Sequence, residues 1–368
     1  MKIGIVWLPN VGKSTLFNAL TKSYSADAQN FPFTTIEPNV GIVDVKDERL
    51  ERLAHITWSE KIIYATTTFV DIAGLVKWAS EWEWLGNKFL SHIREVDSIV
   101  QVLRYFKDDD IWHVDGSVDP LRDRETINTE LILADLEQVE RNIPALSKRA
   151  RSGKNPQEAH ALSALEKIQQ ALNAWQLVYD IRDSLTEDEH DAIKAYNFLT
   201  HKNFIYVLNV WQEDLWSAQD IIKQYSQALQ APVSVVCAAL ESEMMEFSET
   251  ERDEYLEMLV EKQDLHQIPT LDDLISLAYR ELGLMYYFTT GPKESRAWSI
   301  PIWSSAPQAA WAIHTDFEDW FIKAEVVSYD DLVASWGWNK AKELWKLRLQ
   351  GKDYIVQDAD VIVFKFSK

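Results

Sequence analysis

The residues best suited to chemistry follow an apolar segment at the start of the chain. Residues 3–6 read as a β-strand, residues 12–15 read Gly-Lys-Ser-Thr, and an amphipathic helix follows. In such a strand–loop–helix unit, backbone N–H groups and the helix N-terminus bind phosphate oxygens. We expect Lys13 to act in catalysis by neutralising the β- and γ-phosphates, and the Ser14 hydroxyl to bind Mg²⁺. The predicted contacts of this loop are Asn10, Val11, Gly12, Lys13, Ser14 and Thr15.

Residue 7 departs from the phosphate-loop pattern, which has glycine where this chain has Trp7. We expect a side chain there to strain a tight turn and to fill phosphate space. The chain has 16 Trp and 11 Gly in 368 residues, whereas glycine is normally about 7% of a protein. Several tryptophans stand in polar, turn-like settings where glycine is the default. We hypothesise that most of them replace glycine, because a codon assigned to tryptophan is read as glycine by the organism. The alternative is a protein that is naturally rich in tryptophan.

Two downstream segments carry candidate ligands for Mg²⁺ and the γ-phosphate. A loop with two prolines, residues 30–41, contains Thr35 and, as the second choice, Thr34. A threonine in such a loop can bind Mg²⁺ when the γ-phosphate is present. A strand ends in Asp71-Ile-Ala-Gly74, where Asp71 can hold the metal shell and the Gly74 N–H can approach the γ-phosphate. Leu75 follows, where many regulatory GTPases have the glutamine that orients water.

The base-reading region is expected after another strand, at Asn209-Val210-Trp-Gln212. A guanine-specific site has Asn-Lys-x-Asp there, and its aspartate accepts two guanine N–H groups. This chain has no lysine at 210 and has Gln212 in the aspartate position, so a guanine preference loses its basis. We expect Asn209, Val210 and Gln212 to contact the base, together with Ala238 and Ala239 in the loop after the last strand.

Two further side chains are candidates near the phosphates. His113 could orient the attacking water, although a structural loop histidine is the alternative. Asn10 could bind a K⁺ ion beside the phosphates, and the alternative is a turn asparagine that bonds its own loop.

The remaining sequence predicts an α/β P-loop domain with two additions. Apolar residues spaced by three and four predict a helical coiled-coil hairpin, with a kink at Pro144. Several short strands with one helix near the C-terminus predict a small ubiquitin-like β-grasp domain. The predicted domains are 1–122 with 204–283 for the nucleotide, 123–203 for the hairpin, and 284–368 for the β-grasp domain.

Composition narrows the classes of function. The net charge of −21 argues against general coating of nucleic acid, which needs clustered Lys and Arg. The single Cys237 fits a reducing compartment. No apolar run approaches the roughly 20 residues of a membrane span, and no signal segment precedes the first strand. We therefore expect a cytoplasmic protein with no membrane interaction.

Together these motifs resemble the YchF family, the Obg-like ATPases of the translation-factor branch of P-loop GTPases. The resemblance is carried by residues 8–20, 31–39, 71–76, 85–90, 127–136, 313–317 and 351–358. It implies a nucleotide domain, an inserted hairpin, a C-terminal TGS domain and a preference for ATP. The family has Asn-x-x-Glu in the base-reading motif, whereas this chain has Gln212 followed by Glu213.

The resemblance also implies glycine at eight of the tryptophan positions. These are Trp7, Trp78, Trp82, Trp84, Trp303, Trp311, Trp320 and Trp345, whereas Trp298 falls where the family has tryptophan. The function that the sequence predicts is an Mg²⁺-dependent ATPase whose nucleotide state controls binding to the ribosome, ribosomal RNA or another translation partner, acting as a monomer. The rival is a nucleotide-inactive scaffold that binds partners through the hairpin and the TGS domain.

Overall fold

The computed structural model describes residues 1–23, 39–72, 89–113, 116–151, 155–263 and 268–367. Contacts divide the chain into two compact units. The first contains the described parts of 1–23, 31–41 and 68–274, and the second contains the described parts of 42–67 and 275–368. The predicted division into three domains is finer than this one and stays a prediction.

The strands form two six-stranded sheets. They are β1 (Lys2–Trp7), β2 (Val40–Val45), β3 (Ile62–Ile63), β4 (Ala65–Asp71), β5 (Ser98–Arg104), β6 (Asn203–Asn209), β7 (Val233–Val236), β8 (Leu284–Thr290), β9 (Ser295–Pro301), β10 (Phe321–Ser328), β11 (Arg348–Gln350) and β12 (Asp360–Phe366). The first sheet has the order β2-β4-β1-β5-β6-β7, and the second has the order β11-β10-β12-β8-β9-β3.

The helices connect strands of both sheets along the chain. They are α1 (Lys13–Ser23), α2 (Glu48–Thr57), α3 (Pro120–Ala150), α4 (Pro156–Asn173), α5 (Glu187–Ile193), α6 (Ala218–Leu229), α7 (Ala238–Glu243), α8 (Glu249–Gln263), α9 (Leu271–Glu281), α10 (Ala306–Ile313), α11 (Asp316–Asp319), α12 (Tyr329–Ala334) and α13 (Trp338–Glu343). In the described ranges, no helix is long and apolar enough to cross a membrane.

The first sheet is parallel at its centre, which brings the ends of its strands to one edge. β1 pairs in parallel with β4 and β5, and β5, β6 and β7 continue the parallel order. Every residue of β5 is buried, as expected for a strand covered on both faces. The loops after β1, β5, β6 and β7 therefore meet at the carboxyl edge, where ligands bind in open α/β sheets.

The predicted hairpin is confirmed as two long helices of the first unit, α3 and α4. Asp119 and Asn155 cap their N-termini, and Pro144 lies inside α3. Apolar residues at the predicted spacing are buried along both helices, including Val139 on α3 and Ile168 on α4. The turn at 152–154 lies outside the described residues.

The predicted β-grasp sheet is confirmed in the second unit. β10 pairs antiparallel with β11 and β12, β8 pairs antiparallel with β9, and β12 meets β8 in parallel. Buried alanines of α10 join the apolar core under this sheet. Residues 42–67 belong to the same unit, since the Thr57 hydroxyl lies 2.6 Å from that of Thr290 and the Ser59 hydroxyl lies 2.8 Å from that of Ser295.

Candidate functional site

The loop between β1 and α1 has the conformation of a phosphate-binding loop. Asn10 and Gly12 have φ values of 63° and 86°, and the Leu16 N–H donates to the Gly12 carbonyl at 3.0 Å. A Cβ on Gly12 would lie 2.2 Å from Nδ2 of Asn209. Glycine is therefore required at position 12 by both the left-handed backbone and the close approach of another side chain.

A pocket of about 510 Å³ opens above this loop. Ten of the predicted contact residues line it: Asn10, Val11, Gly12, Lys13, Ser14, Thr15, Asn209, Val210, Ala238 and Ala239. The structure thus brings the predicted phosphate and base segments together around one cavity. Gln212 is not among the lining residues, and it begins a 3₁₀ turn that ends at Ser217.

Lys13 and Asp71 form an ion pair at the edge of this pocket. Nζ of Lys13 lies 2.8 Å from Oδ2 of Asp71 and 3.1 Å from its Oδ1. Nδ2 of Asn39 donates to the same Oδ2 at 3.2 Å. The predicted acid therefore faces the predicted lysine, although they are 58 residues apart in the chain.

The oxygen donors near Lys13 fit a hard divalent cation. The Ser14 hydroxyl lines the pocket and the Asp71 carboxylate stands beside Lys13. Mg²⁺ is usually held by one or two carboxylates together with substrate phosphates, not by an all-protein cage. No cluster of three or more acidic, histidine or cysteine side chains that could hold a metal occurs among the described residues. Thr35, its alternative Thr34, and Gly74 lie outside the described residues.

The backbone at Trp7 belongs to a strand, which the sequence did not predict. It is the last residue of β1, pairs with Val102 of β5, and does not have a positive φ. The expectation of backbone strain at residue 7 is therefore wrong, because the strand extends one residue further than a tight turn would allow. Its indole lines the pocket, and Nζ of Lys13 lies 4.0 Å from the ring centroid.

Asn209 links three segments of the site. Its Nδ2 donates to the Val11 carbonyl at 2.9 Å, and its Oδ1 accepts from the Ala238 N–H at 3.1 Å. Its backbone carbonyl accepts from the N–H groups of Tyr105 and Phe106 at 3.0 and 3.2 Å. The side-chain amide is thus engaged in fixing the phosphate loop and the loop after β7.

The sequence did not predict the pocket wall that follows β5. Phe106 and Ile111 line the cavity, as does Trp211, whose ring centroid is 5.1 Å from that of Phe106. No motif marks these residues. The available signal was an aromatic residue two positions after an apolar strand that ends at the ligand edge.

His113 lies away from the pocket lining. Its Nε2 is 2.9 Å from Oδ2 of Asp123, and both side chains are buried. This placement favours the structural alternative, and a role in orienting water stays a prediction. The neighbouring Trp112 carbonyl accepts a hydrogen bond from Nδ2 of Asn10 at 3.0 Å.

Comparison with known proteins agrees with this architecture. A family model described as a 50S ribosome-binding GTPase matches residues 2–135, and the YchF-GTPase_C model, described as a protein of unknown function, matches residues 284–367. The chain is 50% identical to the ribosome-binding ATPase YchF of Haemophilus ducreyi over 369 residues, which cover 100% of this chain and 99% of the relative. The chain belongs to the YchF family. The Bacillus subtilis YchF is 46% identical, covering 99% of this chain and 98% of the relative.

A solved YchF structure has the same fold. The Schizosaccharomyces pombe YchF GTPase aligns with a TM-score of 0.85 at 35% identity, covering 99% of this chain and 97% of that one. The YchF fold therefore extends over the P-loop unit and the C-terminal sheet alike.

Proposed function

We propose that this YchF-family chain binds and hydrolyses ATP and that its nucleotide state controls binding to the ribosome. The observation that carries the proposal is the pocket at the carboxyl edge of the parallel sheet, where the Gly12-Lys13-Ser14 loop faces the loops after β5, β6 and β7. Bacterial relatives with 46–50% identity are named ribosome-binding ATPases, which supports both halves of the proposal.

The residues of the pocket suggest a division of roles. The Lys13 ammonium offsets the charge of the β- and γ-phosphates, and to do so it must exchange part of its contact with Asp71 for phosphate oxygens. Ser14 and Asp71 would hold Mg²⁺, which supplies positive charge to the phosphates when it is bound. A requirement for Mg²⁺ is general among P-loop NTPases. Asn209 bonds to both the phosphate loop and the loop at Ala238, so its role is to hold these two loops in place.

The expected preference for ATP follows from the absence of a guanine-binding aspartate at residues 209–213. No aspartate follows Asn209 by three residues, and Gln212 lies outside the pocket lining. We therefore expect ATP to bind at least as tightly as GTP. Finer features of the proposal are a K⁺ ion held by Asn10, action as a monomer, and a place in the cytoplasm.

One observation favours the rival function, a nucleotide-inactive scaffold. The indole of Trp7 lies against the Lys13 ammonium and lines the cavity that phosphates would enter. A scaffold would bind its partners through the α3–α4 hairpin and the C-terminal sheet without using ATP. The two functions differ in a single measurable property, nucleotide binding.

A titration of ATP with Mg²⁺ tests the proposal, using Trp7→Gly and, in that background, Lys13→Ala and Lys22→Ala, because the indole of Trp7 lines the space that phosphates would enter. Lys22 is an exposed lysine at the other end of the same helix, so its removal is a matched control. We expect Lys13→Ala to abolish ATP binding and Lys22→Ala to leave it unchanged. Equal ATP affinity in all three proteins would contradict the role of the P-loop.

A further inference from the structure

A buried arginine underlies the pocket wall that follows β5. Arg104 is the last residue of β5 and is only 1% exposed. It pairs across the sheet with Asn209, the residue that links the phosphate loop to the loop after β7. Burial lowers the pKa of its guanidinium, which indicates that this position costs solvation free energy. A charge held at such a cost requires strong partners.

The partners of Arg104 are three carbonyl groups of the loop that follows. Nε donates to the Phe106 carbonyl at 3.1 Å, and the two Nη atoms donate to the carbonyls of Asp108 and Ile111 at 3.0 and 2.9 Å. The guanidinium also lies 4.5 Å from the ring centroid of Phe106. One side chain therefore fixes the backbone on both sides of the turn at 108–111, and two of the residues that it fixes line the pocket.

We propose that Arg104 is a positioning residue that holds the Phe106–Ile111 wall against the base and ribose end of the nucleotide. The wall is adjacent to Trp211 and Asn209, on the side of the pocket that belongs to the base-reading segment. Arg104 donates no hydrogen bond to residues 8–15, all of which lie in the described part of the chain; the wall reaches that loop through the bond from Asn10 Nδ2 to the Trp112 carbonyl. Arg104 should therefore influence the nucleoside part of the ligand more strongly than the phosphates. This inference rests on the proposed function, because it needs a nucleotide in the pocket.

The test compares ATP with inorganic tripolyphosphate, which lacks the nucleoside, each titrated with Mg²⁺ into the full chain carrying Trp7→Gly, with and without the change at Arg104. In Arg104→Met the three carbonyls lose their donors, and we expect the affinity for ATP to fall by about tenfold or more. The affinity for tripolyphosphate should change by less than about twofold. Arg124→Met is the matched control, since Arg124 contacts Tyr206 on the hairpin side and does not line the pocket.

Amide hydrogen exchange gives a second readout on the same variants. Amides of residues 105–111 should exchange faster in Arg104→Met than in the unchanged chain, with β1 and β6 unaffected. If Arg104→Met does not fold, Arg104→Lys keeps the charge with fewer aligned donors and should show the same changes at smaller size. Equal losses for ATP and tripolyphosphate, or no change in either, would overturn the inference. Failure of Trp7→Gly with Arg104 intact to bind ATP would instead contradict the proposed function.

A second inference comes from backbone conformation. Among the described residues, nine that are not glycine have positive φ, and five of the nine are tryptophans. These five are Trp58, Trp175, Trp303, Trp336 and Trp345, with φ between 51° and 72°. All five side chains are exposed, and the ring contacts of Trp58 and Trp336 with His55 do not bury them, so burial of the indole does not account for the conformation. Left-handed backbone is disfavoured for residues with a Cβ and is usual for glycine.

The hydrogen bonds at these positions belong to turns that favour glycine. Four of the five tryptophans follow a helix, and in each case the next N–H bonds to a carbonyl five residues earlier. Examples are the Lys346 N–H to Ala341 at 2.9 Å and the Ser59 N–H to Ala54 at 2.9 Å. This is the helix-ending motif in which glycine normally takes the left-handed position.

The fifth position is in a β-turn. The Ser304 N–H bonds to the Pro301 carbonyl at 3.2 Å, and Trp303 has φ of 72° at the third position of that turn. A type II turn requires φ > 0 there and favours glycine. Trp298 differs from these five in both backbone and contacts. It lies in β9, its Nε1 donates to the Thr289 hydroxyl, and its ring stacks under Arg296.

We infer that glycine occupies positions 58, 175, 303, 336 and 345 in the protein that the organism makes. One codon read as glycine would account for all five, and the same codon would place glycine at residue 7 of the phosphate loop. Peptide mass spectrometry on the protein purified from its source organism tests this. Glycine is expected at the five positions and tryptophan at Trp298. Tryptophan at any of the five would overturn the inference.

Discussion

Trp345→Gly isolates the effect of the left-handed backbone on stability, because the Trp345 side chain contributes little else to the folded state. The residue follows α13 with φ of 59°, and its side chain is 92% exposed. Replacing it therefore removes almost no buried surface. The helix-ending bond from the Lys346 N–H to the Ala341 carbonyl involves only main-chain atoms, so it can persist in the variant.

Two opposing contributions set the expected change in the unfolding free energy. A left-handed backbone costs a residue with a Cβ roughly 1–2 kcal/mol. Glycine adds chain entropy to the unfolded state, which offsets about 0.4–1 kcal/mol of that gain. Trp345→Gly should therefore raise the unfolding free energy of the second unit by about 1 kcal/mol.

Native-state amide exchange is a suitable assay, because the slowest amides of β10 and β12 report the unfolding of their own unit. Trp345→Ala is the matched control, since it removes the indole but keeps the Cβ. We expect stabilisation from glycine and none from alanine. Equal stabilisation by both variants would show that loss of the indole, not relief of φ, is the cause, and no gain from glycine would refute the reasoning.

Three other predictions concern the nucleotide site and the hairpin. ATP should bind at least as tightly as GTP, and a GTP preference of about tenfold or more in a competition titration would contradict our interpretation of the base-reading segment. ATP turnover should be faster in K⁺ than in Na⁺, with Asn10→Ala erasing the difference, whereas equal rates in both salts would exclude the cation role. The Glu189 carboxylate accepts hydrogen bonds from Lys167, Ser163 and the Thr186 N–H, and Lys167 contributes most to lowering its pKa to about 2. Because this pKa lies below the ordinary value of 4.5, the stabilisation is complete above that pH and is lost as the pH falls toward 2. Acid unfolding should therefore show a smaller pH dependence in Glu189→Gln, and an unchanged acid limb would count against it.

The sequence predicts the phosphate loop well, because its function depends on neighbours in the chain. Gly12, Lys13 and Ser14 lie within one loop, and the structure places them in the pocket as expected. Asp71 lies beside Lys13, as the meeting of parallel strand ends at one edge predicts, and its role in holding Mg²⁺ stays a prediction. The two-sheet fold follows from apolar periodicity in the same way.

What the sequence could not predict depends on contacts between distant segments. Phe106 lines the pocket, and its backbone is bound by Arg104 and by Asn209, which lies about 100 positions away in the chain. Residues 42–67 include parts of β2 and β4 of the first sheet, yet they belong to the second unit, and Thr57 and Ser59 make hydroxyl contacts with residues more than 230 positions away. Trp7 was expected to be strained, but strand pairing with Val102 keeps its backbone extended.

Nucleotide binding with glycine at residue 7 tests the central claim most directly. ATP with Mg²⁺ is titrated calorimetrically into Trp7→Gly and into the double variant Trp7→Gly/Lys13→Ala, and phosphate release is followed in the same samples. We expect saturable ATP binding and slow phosphate release by Trp7→Gly, and neither by the double variant. Absence of ATP binding by folded Trp7→Gly, or equal binding by both proteins, would contradict it.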